Sequence, residues 1–185
     1  MQLMKNNKRI CVRGAEEFRL LRIASGIAFF LLVIDQLTKL LAEQKLSQLQ
    51  SIEIIPGFFS LTYVTNKGAA WGMFHGYGMV LFAIGAVVTV MALCFLRKLC
   101  DGFRERYIAI LVVLSGVIGN SIDRLWRGEV VDFLDFYIKK SHWPAFNIAD
   151  CAICIGIGIY MLSVLLRPAP EAEKTADNGT APDGE

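Results

Sequence analysis

Two aspartates 18 residues apart, Asp132 and Asp150, are the residues of this chain best suited to chemistry. Two carboxylates held close cannot both ionise readily, so one of them keeps a proton near neutral pH. Such a pair offers a general base to activate water and a general acid to protonate a leaving amine. Asn147 lies three residues before Asp150, on the same helical face, and Asn120 lies three before Asp123 and four before Arg124. Amide and guanidinium donors near a carbonyl can hold it or stabilise oxyanion charge. Asp123, next to Arg124, reads as structural, and Asp135 as a solvated loop carboxylate.

Other chemistries have less behind them. Asp132, Asp135 and Asp150 could hold a hard cation. His75 is an isolated candidate base. Ser115 has no histidine in a later apolar run to activate it. Cys151 and Cys154 have the spacing of a redox or metal pair, but the run around them makes two small, soft core residues the simpler reading.

These residues need an apolar scaffold. The chain is 55% hydrophobic, and Lys+Arg 19 against Asp+Glu 17 leave a net charge of +2, so no nucleic-acid partner is expected. Mean hydropathy is +0.48. The apolar content falls into four runs, each near the roughly 20 residues that cross a bilayer as helix. The expected fold is an all-α polytopic membrane protein with helices at about 20–44, 77–96, 107–125 and 145–166. Asp132 then lies in a loop, 126–144, and Asp150 in the first turns of the last helix. Antiparallel neighbours bring such ends together.

Asp35 and Lys39, four apart in the first helix, share a face. Either Lys39 snorkels to the interface with Asp35 as its partner, or the pair buttresses a polar site. The region of about 48–66 is rich in β-branched and aromatic residues around Pro56-Gly57 and reads as a pair of strands with apolar side chains on the membrane surface. Small residues from Gly68 onward, with Trp71 and Phe74, suit the interface. Twelve of the 19 basic residues fall in the N-terminal tail, the 97–106 loop and the C-terminal tail, and six in the other two loops. That asymmetry places both termini in the cytoplasm and both polar stretches at the outer face. Residues 1–167 form one membrane domain, and 168–185, rich in Pro, Glu, Asp and Ala, are expected to be disordered. A small transporter or channel using Asp35, Asp123, Asp132 and Asp150 is the rival reading. The lack of an internal repeat and the gathering of carboxylates at one face weigh against it. A non-enzymatic assembly factor would not need both aspartates.

Five blocks, in order, carry a resemblance. They are Asp35-Gln36-x-Thr38-Lys39, Asn66-x-Gly68-Ala69-Ala70-x-Gly72, Gly119-Asn120-x-x-Asp123-Arg124, Gly128-x-Val130-Val131-Asp132-Phe133 and Phe146-Asn147-x-Ala149-Asp150. Together they resemble the lipoprotein signal peptidases (signal peptidase II), aspartyl endopeptidases of the bacterial inner membrane. The resemblance covers nearly the whole chain, with Trp71 where Phe is more usual and no counterpart for the acidic tail. It implies Asp132 and Asp150 as catalytic residues, with Asn66, Gly68, Asn120, Arg124 and Asn147 shaping the site. Asp35, Lys39 and Asp123 are its polar support. It implies four membrane helices with a small periplasmic β-cradle and a short surface helix, and no metal or cofactor. It implies cleavage of diacylglyceryl-modified prolipoproteins just before the lipidated cysteine, in contact with membrane lipid, and inhibition by globomycin. A monomer is expected.

Overall fold

The computed structural model describes residues 15–48, 51–69 and 73–167. The N-terminal tail up to residue 14, Trp71 and the acidic 168–185 tail lie outside the described residues. The elements are α1 (Ala15–Leu46), β1 (Ile52–Ile55), β2 (Phe59–Asn66), α2 (Gly78–Cys94), α3 (Leu96–Cys100), α4 (Arg104–Trp126), β3 (Val130–Ile138), β4 (Ser141–His142) and α5 (Ile148–Leu166).

α1 begins a turn earlier than its apolar run. Glu16 and Glu17 sit in its first turn, where the helix dipole favours negative charge. They reach Arg104 at 3.1 Å and Arg97 at 3.0 Å, so neighbouring elements hold the polar turn in helix. The second apolar run is divided. α2 ends at Phe95, whose backbone (φ −102, ψ 12) leaves the helical region before α3 begins. α1, α4 and α5 are long and apolar enough to cross a membrane, whereas α2 has 17 residues. No residue of α2 is buried, and Val80, Ile84 and Val87 are all more than half exposed. A helix apolar all round that packs mainly on α4 belongs in lipid.

α4 is the central helix, packed on α1, α2 and α5. Small residues let it close on α5. A Cβ at Gly116 would run into the Ala149 carbonyl, and one at Gly156 would sit 2.8 Å from the Ala109 carbonyl oxygen. Close backbone approach of this kind is how membrane helices gain contact without a hydrophobic drive between them. At one end the core is Ala24, Cys100, Tyr107, Ile110, Leu111 and Leu114. At the other, Ala42 and Leu46 of α1 pack on Val131 and Phe133 of β3.

The sheet is antiparallel in the order β1-β2-β3-β4. Val64 pairs with Asp132 and Asn66 with Val130, with an irregularity between Leu61 and Val64. Most of the 126–144 segment, expected as loop, is therefore the third strand and a hairpin. Val130 to Phe133 are all buried, so the strand is fixed by its place between α1 and the rest of the sheet. The expected surface helix is not found among the described residues of 68–76. Turns fill Met73–Gly76, with Phe74 at φ 55 and Gly76 at φ 84.

Candidate active site

α5 begins at a polar junction. Asn147 is its N-cap, in extended conformation, and accepts from the Asp150 backbone N–H at 3.0 Å. Asp150 reaches back to the Asn147 backbone N–H at 3.2 Å. This capping box satisfies two of the four first-turn donors that a helix cannot satisfy itself. A third, Ala149 N–H, donates to Asp35 Oδ1 of α1 at 2.8 Å. Asn147 is thus a cap residue with extended backbone, not a helical residue sharing a face with Asp150.

The same two asparagines link the aspartates. Asn147 Nδ2 donates to Asp132 Oδ1 at 2.7 Å. Asn120 Nδ2 donates to Asp150 Oδ1 at 2.8 Å, and Asn147 Nδ2 lies 3.3 Å from Asn120 Oδ1. Asn66, at the end of β2, donates to the other Asp132 oxygen at 3.4 Å. Asp132 is on a strand and outside the membrane-spanning helices. Burial, and next the charge of Asp150, push its carboxyl up to about 7, against hydrogen bonds from Asn147 and Asn66 and the charge of Lys39.

Beneath this lies a closed set of ions. Lys39, fully buried, is 2.9 Å from both Asp35 and Asp123, so it does not snorkel. Its Nζ also donates to Asn120 Oδ1 at 2.9 Å. Asp123 takes Arg127 at 2.8 Å, and Arg127 also meets Glu43 at 3.2 Å. Buried charges of this kind persist only when paired. Gly119 leaves the room: a Cβ there would be 2.6 Å from Asp35 Oδ2.

Arg124 does not pair with its neighbour Asp123. Its Nη2 donates to the Gly68 carbonyl at 3.1 Å and its Nη1 to the Asn120 carbonyl at 3.4 Å. Its Nε is buried and has no hydrogen-bond partner among the described residues. Gly68 is held from the other side, its N–H donating to Asn66 Oδ1 at 2.9 Å. Asp135 is not a solvated loop carboxylate. Its side chain is 14% exposed and lies 3.0 Å from His142 Nδ1. An odd separation along a strand turns it away from the face of Asp132, so the two cannot share a cation with Asp150.

Asp132, Asp150, Asn66, Asn120 and Arg124 all line one cavity of about 900 Å³. His75 lines it too. Its far wall runs along α5 through Ile153 to Ile155, which is 60% exposed on the outside of the bundle. Sequence reasoning passed over Arg127 and Glu43. Arg127 stands four residues after Asp123 on one helix face and was within reach of the same spacing rule that paired Asp35 with Lys39.

Fold and site together define a multi-pass membrane enzyme of apolar helices and a small antiparallel sheet, with two carboxylates in a cavity where they meet. The family model for signal peptidase (SPase) II matches residues 27–166. A lipoprotein signal peptidase of Geobacter metallireducens is 42% identical over 160 residues, 85% of this chain and 97% of the relative. That of Shewanella loihica is 41% identical over 162 residues, 82% of this chain and 95% of the relative. A solved bacterial membrane enzyme superposes with a TM-score of 0.73 at 34% identity, covering 82% of this chain and 93% of that one. The chain belongs to the lipoprotein signal peptidase (signal peptidase II) family and is a protease.

Proposed function

We propose that this protein is an aspartyl endopeptidase that removes the signal peptide from diacylglyceryl-modified prolipoproteins, cutting just before the lipidated cysteine. One observation carries the reading: Asp132 and Asp150 are tied through Asn147 and Asn120 on the wall of a single cavity.

The pair shares one proton, and the burial of Asp132 favours holding it there. Water between the carboxyls loses a proton to the ionised member as its oxygen attacks the scissile carbonyl carbon. The other carboxyl gives its proton to the leaving amine as the carbon–nitrogen bond breaks. The pair ends with one proton, as it began. Arg124 Nε, a donor with no partner among the described residues, suits a substrate carbonyl oxygen in this cavity. Asn66, Gly68, Asn120 and Asn147 shape the site, and Asp35, Lys39 and Asp123 support it.

The exposed end of the cavity along α5 lets the substrate's acyl chains stay in lipid while the peptide bond reaches the aspartates. Residues 1–167 make up the domain, with four membrane crossings, α2 being the short one. The protein lies in the bacterial inner membrane as a monomer, both termini cytoplasmic and the cavity at the periplasmic face. The excess of Lys and Arg in the tails and the 97–106 loop supports that orientation. Globomycin competes for the same cavity. The reaction needs no metal.

The test is incubation of the purified protein with a diacylated prolipoprotein and with its unlipidated form, with and without EDTA. Cleavage of the lipidated form alone, unaffected by EDTA and blocked by globomycin, is expected. Cleavage that EDTA abolishes and a divalent ion restores would overturn the two-aspartate mechanism.

A further inference from the structure

The tip of the β3–β4 hairpin carries two lysines that the peptidase reading leaves unused. Pairing of Ile138 with Ser141 makes Lys139-Lys140 a two-residue loop, fully outside the core. Lys139 stands at φ 57, where glycine or asparagine sits with less strain. The turn thus keeps a charged side chain where a neutral one would form it more easily. Neither lysine has an ion-pair partner among the described residues. The acids nearby on the sheet are engaged. Asp135 is 3.0 Å from His142 Nδ1, and Glu53 accepts from the Tyr137 hydroxyl at 2.7 Å. Neither acid is bonded to a lysine, so the two ammonium groups at the tip are open to an outside anion.

Apolar residues surround it. Ile138 is 67% exposed and Trp143 59%, and Ile55 and Phe58, at the same end of the sheet, are 49% and 46% exposed. Pairing of Phe59 with Phe136, and a bond from Tyr137 N–H to the Phe58 carbonyl at 2.9 Å, bring the β1–β2 turn beside the hairpin. Lysines among an aromatic and aliphatic residues match the two layers of a bilayer surface: phosphate outside, the start of the acyl chains beneath.

We infer that this end of the sheet is a docking surface for anionic phospholipid, with Lys139 and Lys140 on the headgroup phosphate and Ile138, Trp143, Ile55 and Phe58 against the upper acyl chains. Its consequence lies next door. Trp143 to Phe146 run from the hairpin directly along the cavity wall, and Phe146 is bonded through its backbone to Leu134. Anionic lipid at the tip steadies that wall. The inference does not depend on which groups cut the substrate.

Hydrogen–deuterium exchange of the full chain in nanodiscs tests it. Discs of phosphatidylcholine alone are compared with discs in which part is replaced by phosphatidylglycerol. Backbone exchange over residues 137–143 is expected to slow at least about fivefold with the anionic lipid, the effect of one lysine near such a surface. High salt should remove the difference. A Lys139→Asn, Lys140→Gln variant, whose asparagine suits the positive φ, should show no dependence on lipid charge while exchange in α5 stays as in the wild type. Equal exchange of the wild type in both discs would overturn the inference. The same follows if the variant responds as the wild type does, or if an acidic peptide protects the hairpin in neutral discs where anionic lipid does not.

Discussion

Lys39 Nζ donates to Asn120 Oδ1 at 2.9 Å, and that bond decides which way the Asn120 amide faces. An ammonium can only donate, so the amide oxygen must meet it. The NH₂ group is then turned to Asp150 Oδ1 at 2.8 Å. A lysine on α1, 81 residues away in sequence, thereby orients a donor on one of the two aspartates.

Lys39→Met should remove that orientation and leave Asp35 and Asp123 short of a buried counter-ion. Breaking a buried pair by deleting one partner costs about 3–5 kcal/mol. A thermal or denaturant melt in detergent should show a loss of that size. Stability within about 1 kcal/mol of the wild type would mean that water or Arg127 replaces the ammonium.

Asn147 has two duties that separate by substitution. Asn147→Ser keeps a side-chain acceptor for the α5 cap but loses the donor to Asp132. Asn147→Ala should lose about 1 kcal/mol more stability than Asn147→Ser, the worth of the cap. Both should lose turnover by up to about tenfold, since a hydrogen bond to a neutral carboxyl is worth about 0.5–1.5 kcal/mol. Normal kcat in the serine variant would reduce Asn147 to a helix cap.

The parts of this site that lie on helices were legible because helical spacing is local. Asp35 with Lys39 is read from a separation of four residues, whereas Asn147, three before Asp150, meets it as the helix cap and not across a helical face. The length of the apolar runs placed three of the helices to within a turn, but missed the polar start of α1 at Ala15 and the break at Phe95. β3 was not legible. Its Asp132 and Asp135 break the alternation of a strand, and its partner residues in β2 lie 64 to 77 positions earlier, a pairing that no local pattern encodes. The partners of Asp123 were hidden for a similar reason: Lys39 comes from another helix, and the adjacent Arg124, on a different face, looked the nearer choice.

The proton held by Asp132 gives a pH dependence with a definite sign. Its carboxyl ionises at about 7 in the folded protein against 3.8 for the free group. Between those values the folded state holds a proton that the unfolded chain has lost. The stability due to this group is therefore complete below the lower value and is lost as pH rises through the upper one. Asp132→Asn cannot lose it, so its melting temperature relative to wild type should climb between about pH 4 and pH 8. A constant difference across that range would show that Asp132 is not held protonated by its surroundings.

Gly116 allows α4 to meet α5 at the Ala149 carbonyl. Gly116→Val should force the helices apart and draw Asn120 away from Asp150. Overpacking of this kind costs about 1–3 kcal/mol, and turnover should fall with stability. An unchanged melt and rate would show that the helices have slack at this crossing.

The central claim is that one turnover needs both carboxylates, and single-turnover cleavage of a diacylated prolipoprotein by Asp132→Asn and Asp150→Asn tests it most directly. Each variant should still insert, fold and bind globomycin, and each should cleave no product above background. Near-wild-type cleavage by either variant would contradict the two-aspartate account.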